Sequence, residues 1–538
     1  MTSRRARLLT PPMLAVALSA ALFHIAPVWY AQSTTPAGWT FSGNLTVSPD
    51  FMQYRVWQRQ SQREGPVVTN AFTTEPNQPH LIVAHDWLIG QVARATGVTP
   101  EFVSAYMGCL WAMLLAMLLY GLVAHFFPIA HQKWWVLGAL VLGGGLGAHL
   151  KVLALAPGLN EIYLIRRLVV EPLDAWPMFE DYRSHYLIKT LVDTHFAFLW
   201  LVTLGAVTAV YAALRRFTAG RVALAMFLSA AITLLHVYEG VTLMAIAAGI
   251  AVCCRARRQN AREAAILLAL VAATVLACYA VVMVMFRNSG LPMPPWRAVN
   301  ILLATLLIAY PVAWGLIAFG LRDYWRQAGL AECVLVGWAL GCTFVTLSGP
   351  FYPYPDRGTM TLPVPLLLIA GGIFFRWRPR VNWPAALVAI VLMGGTPVWF
   401  VTRTIVINRF HDDRPWAWTR PAHHAIIQSL AERATPRDIL LAEQGDELWL
   451  APDFPGRSYV GHFFLTLDYQ RKNGELQAFL SGTGEDRRTF LERTGARFVF
   501  VNMSRQPQQF ESIAGLHPIA TGSAGWLFEF RPDSSRGS

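Results

Sequence analysis

Stretch after stretch of about 20 apolar residues recurs along this chain, the length that an α-helix needs to cross the hydrocarbon core of a bilayer. The spans read at 12–30, 103–127, 134–154, 191–214, 222–236, 239–254, 263–286, 298–320, 330–348, 359–375 and 383–402. A chain built this way is an α-helical polytopic membrane protein with about 11 transmembrane helices. Composition agrees. Of 538 residues 54% are hydrophobic and only 14% charged, against about 25% charged in an ordinary soluble chain. The mean hydropathy is +0.39. The 20 Trp, 16 Tyr and 30 Phe often flank the apolar runs, as rings that favour the headgroup layer do.

The net charge of +12 sits mostly at span ends, so it reads as an orientation signal and not as a nucleic-acid surface. Arg4, Arg5 and Arg7, then Lys133, then Arg215, Arg216 and Arg221, then Arg255, Arg257, Arg258 and Arg262, then Arg322 and Arg326, then Arg376, Arg378 and Arg380 occupy alternate connections. Positive residues are retained on the cytoplasmic side. The expectation is a cytoplasmic N-terminus, an uncleaved first span, and residues 403–538 outside, in a bacterial inner (plasma) membrane. The six cysteines lie in or beside apolar segments, which suggests neither a disulfide framework nor a cysteine metal site.

The outer connections are residues 31–102, 155–190, 287–297 and 349–358. The spans 222–236 and 239–254 are short, which suggests two half-depth helices meeting at Leu234–Gly240. After Arg403 the composition changes to that of a small α/β domain. Helices are expected at 421–434 and 485–494. Strands are expected at Asp438–Glu443, Arg457–Gly461, Arg497–Asn502 and Trp526–Phe530. The division expected is therefore 1–402 as a membrane module, including the first outer loop at 31–102, and 403–538 as an extracytoplasmic domain.

Ionisable residues at or near membrane depth are costly, so each is a candidate for function. Asp50 follows Pro49 at the start of a helical run reaching Gln62. Asp is also a favoured cap at a helix start, and both readings stay open on local sequence. Arg357, in Tyr352–Gly358 before a span, suits a phosphate because its fork binds two oxygens; an interfacial Arg reaching to headgroups has the same pattern. Arg183, Lys189, Arg287 and Arg297 are reserves. Tyr54, Glu75, Asp86, Asp193, His195, His236 and Glu239 are candidates to line a pocket. At the helical break, His236 and Glu239 equally suit a turn whose side chains satisfy freed backbone groups. His80, His85 and Asp86 give only a faint metal pattern, and no metal site is expected. The run Arg457–His462 stands out, with no chemistry read from it.

A first span, a long loop with an early Asp50 and nearby Tyr54, many further spans and a C-terminal domain together resemble the GT-C superfamily of membrane glycosyltransferases. That superfamily includes protein mannosyltransferases and lipid A aminoarabinose transferases. The architectural likeness covers residues 12–402; the sequence match is chiefly Asp50 with Tyr54. Phe51 follows Asp50 where several of these families carry a second acid, and the first loop has no Asp-x-Asp pair. The resemblance implies a GT-C-like fold and inverting transfer from a polyprenyl-phosphate sugar donor to a lipid or glycan acceptor. Asp50 would be the base, and Arg357, with Arg183 and Arg297, would bind the donor phosphate. No cofactor is implied, and beyond donor and acceptor the partners are membrane lipids. Asp50 and Arg357 would share one hollow at the outer leaflet. The alternatives are a lipid-linked glycan transporter or flippase, and a non-catalytic assembly protein.

Overall fold

The computed structural model describes residues 10–43, 49–65, 68–78, 84–142, 194–288, 307, 310–349, 351, 357–378, 418–463, 465–482 and 486–532. The fold is mostly helical. Among the described residues six helices are long and apolar enough to cross a membrane: Pro11–Ser33, Pro100–Phe126, Thr194–Arg215, Val237–Arg257, Ala261–Met285 and Leu330–Leu347. Ala219–Leu235 and Pro363–Trp377 are shorter apolar helices. The expected spans at 12–30, 103–127, 222–236, 239–254, 263–286, 330–348 and 359–375 fall on helices, as does 191–214 from Thr194 onward. So do the first part of 134–154, at Ala130–Leu142, and the second half of 298–320, at Pro311–Arg326. Residues 143–154 and the span 383–402 lie outside the described residues. The chain divides into two compact units, one of residues 1–26, 107–281 and 296–403, the other of residues 27–106, 282–295 and 404–538.

In the first unit, helix Val237–Arg257 lies along helix Leu330–Leu347, and Thr194–Arg215 along Ala219–Leu235. Lipid tails are as apolar as leucine, so helices in a bilayer gain little from burying apolar surface and associate through close packing. Glycine makes the closest approach here. A Cβ at Gly249 would stand 2.2 Å from the Gly337 carbonyl oxygen, and one at Gly341 2.5 Å from the Ile246 Cα. Gly337 and Gly341, four apart on one helix face, therefore admit the Ala245–Ile250 backbone of the neighbour. Trp200 and Trp338 fill the surrounding core.

The helices Ala219–Leu235 and Val237–Arg257 meet at the extended residue His236 (φ −156°, ψ 93°). Its N–H donates to the Ile232 carbonyl at 2.8 Å, and its own carbonyl accepts from the Glu239 N–H at 3.0 Å. A Cβ at Gly240 would fall 2.3 Å from Thr233 Oγ1, so the two helix ends close tightly on each other. The two helices thus meet at a one-residue joint, but Val237–Arg257, with 21 residues, is long enough to cross a membrane and is not the half-depth helix expected.

The second unit holds all seven strands among the described residues. β1 (Thr40–Phe41) pairs antiparallel with β2 (Trp418–Thr419). A five-stranded sheet combines β3 (Ile439–Leu441), β4 (Arg457–Ser458), β5 (Phe498–Asn502), β6 (Leu516–Gly522) and β7 (Gly525–Phe530) in the order β4-β3-β5-β7-β6. β3 runs parallel to β4 and β5, whereas β5–β7 and β7–β6 are antiparallel. Side chains alternate across a strand. In β5, Phe498 and Phe500 enter one core, and Val499 and Val501 the other.

The first of these cores draws on both distant stretches of the chain. Phe51, Met52, Val56, Trp57 and Phe72 pack with Leu440, Trp449, Phe454, Phe498 and Leu527. Backbone and side chain complete the join. The Ser458 N–H donates to the Ala71 carbonyl at 2.8 Å. Asn70 Nδ2 donates to the Leu465 carbonyl at 2.8 Å, and Thr466 Oγ1 to the Phe72 carbonyl at 2.8 Å. The first loop and the C-terminal segment are therefore one folded body.

Candidate functional site

Helix Pro49–Glu64 begins as its sequence predicts. Proline at the first helical position gives up an N–H that would have no partner there, and Asp50 falls in the first turn. Phe51 and Met52 anchor the helix start in the core, while the Asp50 side chain is 56% exposed. Arg55 and Arg59 hold the helix at Glu101, with Nε–Oε1 distances of 3.1 and 3.2 Å. Tyr54 sits between Phe51 and Trp57, with ring centroids at 6.4 and 6.0 Å.

Asp50 Oδ1 lies 3.1 Å from His462 Nε2. The His462 side chain is 1% exposed. Its ring stacks on Phe463 at 5.0 Å and meets Phe72 edge-on at 6.1 Å. Gly461 makes this placement possible. A Cβ there would meet Phe72 Cδ1 at 2.7 Å and the Glu447 carboxyl at 3.0 Å. The Gly461 N–H donates to Thr466 Oγ1 at 3.0 Å, which pins the turn.

Glu447 stands behind that turn on helix Gln444–Leu450. It is fully buried, and its Oε1 accepts from Ser458 Oγ at 2.6 Å. Burial pushes its carboxyl up to about 8, against the opposing pull of the Ser458 hydroxyl. The group is therefore a neutral acid at pH 7, which lowers the cost of burying it.

Glu75 and Asp86 have defined partners. Glu75 pairs with Lys472, Nζ to Oε1 2.6 Å, and accepts from the Thr73 hydroxyl. Lys472 is 2% exposed, also donates to Thr74 Oγ1 at 3.2 Å, and stands over the Tyr459 ring at 5.2 Å. Burial would raise the Glu75 carboxyl, but the bonds from Lys472 and Thr73 outweigh it and hold it below the usual range. Asp86 is buried and accepts from Gln58 Nε2 at 2.8 Å, joining helix Ala84–Thr96 to helix Pro49–Glu64. A Cβ at Gly90 would fall 2.5 Å from Ser61 Cβ, so these two helices touch backbone to side chain. Burial drives neighbouring His85 down to about 3, and it is neutral.

The first unit gathers a second set. Arg357 opens the short helix Arg357–Thr361. That helix packs on Leu330–Leu347, Thr194–Arg215 and Val237–Arg257. A Cβ at Gly358 would stand 2.4 Å from the Cys342 carbonyl oxygen, and Trp338 Nε1 donates to Thr361 Oγ1 at 3.1 Å. His236 lies within electrostatic range of Arg357. His236 Nδ1 is 3.8 Å from Glu239 Oε1, and the His195 and His236 rings are 6.4 Å apart. Glu239 is fully buried in the first turn of its helix.

The structure thus brings Arg357, His195, His236 and Glu239 together in one unit, and Asp50, Tyr54, Glu75 and Asp86 into the other. Arg287 is exposed near the end of helix Ala261–Asn288. Arg183, Lys189, Asp193 and Arg297 lie outside the described residues, as does His80. Sequence reasoning passed over His462, Glu447, Ser458 and Lys472. The one available signal was the unusual run Arg457–His462, which carries the Ser458, Gly461 and His462 of this site. No known protein-family model and no characterised protein matches this sequence.

Proposed function

We propose that the protein is a membrane glycosyltransferase moving one sugar from a polyprenyl-phosphate donor to an acceptor hydroxyl outside the cytoplasm. The observation that carries this reading is the Asp50 carboxylate, solvent-exposed on a fixed helix start and engaged by buried His462. A carboxylate held in that manner suits a general base.

In the reaction, the acceptor oxygen attacks the anomeric carbon as its proton passes to Asp50. The bond from that carbon to the phosphate oxygen breaks, and polyprenyl phosphate leaves with the electron pair. The configuration at the anomeric carbon inverts. The leaving group is already an anion, so it needs a cation more than an acid. Arg357, at the start of helix Arg357–Thr361, is the cation proposed for that role.

Topology supports the same reading. The first loop and the C-terminal segment share one core, which supports reading both on one side of the membrane. That requires an even number of crossings between them, and the eleven-span scheme supplies ten. The positive-inside bias favours the extracytoplasmic side for both.

The test is incubation of purified protein with a panel of radiolabelled polyprenyl-phosphate sugars, followed by determination of the product's anomeric configuration. Inverted product is expected, with Arg357→Ala raising the KM for donor. Retained configuration, or an unchanged donor KM in that variant, would overturn the mechanism.

A further inference from the structure

We propose that His462 is a positioning residue for Asp50, which makes the C-terminal segment part of the catalytic apparatus. The proposal rests on the reading of Asp50 as the base.

His462 Nε2 and Asp50 Oδ1 are 3.1 Å apart. Two lone pairs facing each other at that distance would repel, so a proton stands between them. A carboxylic acid is a far stronger acid than an imidazole N–H, so the proton belongs to Nε2, which donates to the carboxylate. Burial of the two partners is unequal: the imidazole is enclosed and the carboxylate is open to solvent. The enclosed partner is the fixed one. Phe463 stacks on it, Phe72 abuts it, and the Gly461 turn that carries it is tied by Thr466 to the first loop.

A fixed N–H on Oδ1 favours one orientation of the carboxylate toward an incoming hydroxyl. In the proposed step the acceptor proton goes to Asp50, and His462 keeps its own throughout. Its contribution is orientation, which is worth about 10- to 100-fold where the reacting atoms would otherwise be misplaced by about 1 Å. Sugar transfer would then depend on residues 404–538 for the aim of its base as well as for the fold.

The experiment has two arms, both on the full chain. In the first, protein carrying ¹⁵N-histidine is examined by NMR in lipid. A protonated Nε2 on His462 that shifts on Asp50→Asn is expected; a bare Nε2 in the wild-type protein overturns the proposal whatever the activity. In the second, transfer kinetics compare Asp50→Asn, His462→Ala and His462→Gln. His462→Ala should lower kcat about 10- to 100-fold with KM nearly unchanged. His462→Gln, which keeps an N–H donor near the Nε2 position, should recover most of the rate. An inactive Asp50→Asn beside a fully active His462→Ala overturns the role of His462 and leaves the base in place. An active Asp50→Asn overturns the base and the role of His462 together.

Discussion

Asp50 and His462 are 412 positions apart in the chain and 3.1 Å apart in space. One stands on the first helix of the first loop; the other follows β4 of the C-terminal sheet. The pair exists because the two stretches fold as one body, so damage to the join should reach the base.

The Gly461 turn is the most direct place to look. Gly461→Ala puts a methyl group 2.7 Å from Phe72 and 3.0 Å from the Glu447 carboxyl. Overpacking of this kind costs about 1–3 kcal/mol. The expected result is a lower melting temperature together with reduced transfer, checked by differential scanning fluorimetry and activity on the same preparation.

Lys472 gives a second prediction about the join. Breaking a buried ion pair by removing one member costs about 3–5 kcal/mol. Glu75 keeps a third of its side-chain surface in water, so Lys472→Met should cost less, about 2 kcal/mol after allowance for solvent screening. Thermal unfolding should show the loss, and the double variant Lys472→Met with Glu75→Gln should recover part of it.

Buried titrating groups make stability depend on pH in opposite directions. Glu447 rises from 4.5 to about 8 in the fold. The folded state therefore holds a proton that the unfolded chain releases. Its contribution is whole below pH 4.5 and is lost as pH rises through 8. Burial lowers His423 from 6.5 to about 4, with Arg420 and His424 adding to the effect. Its contribution is whole above pH 6.5 and is lost as pH falls through 4. Glu447→Gln should flatten the alkaline arm of a stability-versus-pH curve and leave the acid arm unchanged.

The membrane helices supply a paired prediction. Gly337→Leu places side-chain atoms into the Gly249–Ile250 backbone, which cannot move aside; a Cβ alone would be 2.4 Å from the Ile250 Cα. Gly315, on helix Pro311–Arg326, has nothing within 4 Å of a built Cβ. Size-exclusion profiles in detergent should show aggregation for Gly337→Leu and a wild-type peak for Gly315→Leu.

Hydropathy made the helices readable. Their apolar runs are local and long, so seven of the expected spans coincide with helices and three more do so in part. The joint at His236 was readable for the same reason, since a polar run interrupts two apolar ones. β5 was readable: the strand expected at Arg497–Asn502 forms at Phe498–Asn502, a short run of large apolar residues buried on both faces. β6 was not: Leu516–Gly522 is mostly exposed or half-buried and reads as a loop. Helix Tyr469–Ser481 was missed because it is polar on most of its surface. Its Lys472 looks like a solvated charge until Glu75 and Tyr459 are seen around it. The Asp50–His462 pair has no local pattern, because its spacing is set by a tertiary join between the ends of the chain.

In the proposed reaction Asp50 takes the acceptor's proton. Single-turnover transfer from a radiolabelled polyprenyl-phosphate sugar should be compared between wild-type protein and Asp50→Asn in matched liposomes. Asp50 is exposed and outside the cores, so the variant should fold normally. Loss of a general base predicts a rate lower by about 10²- to 10⁴-fold. Equal rates from the two proteins would contradict the account.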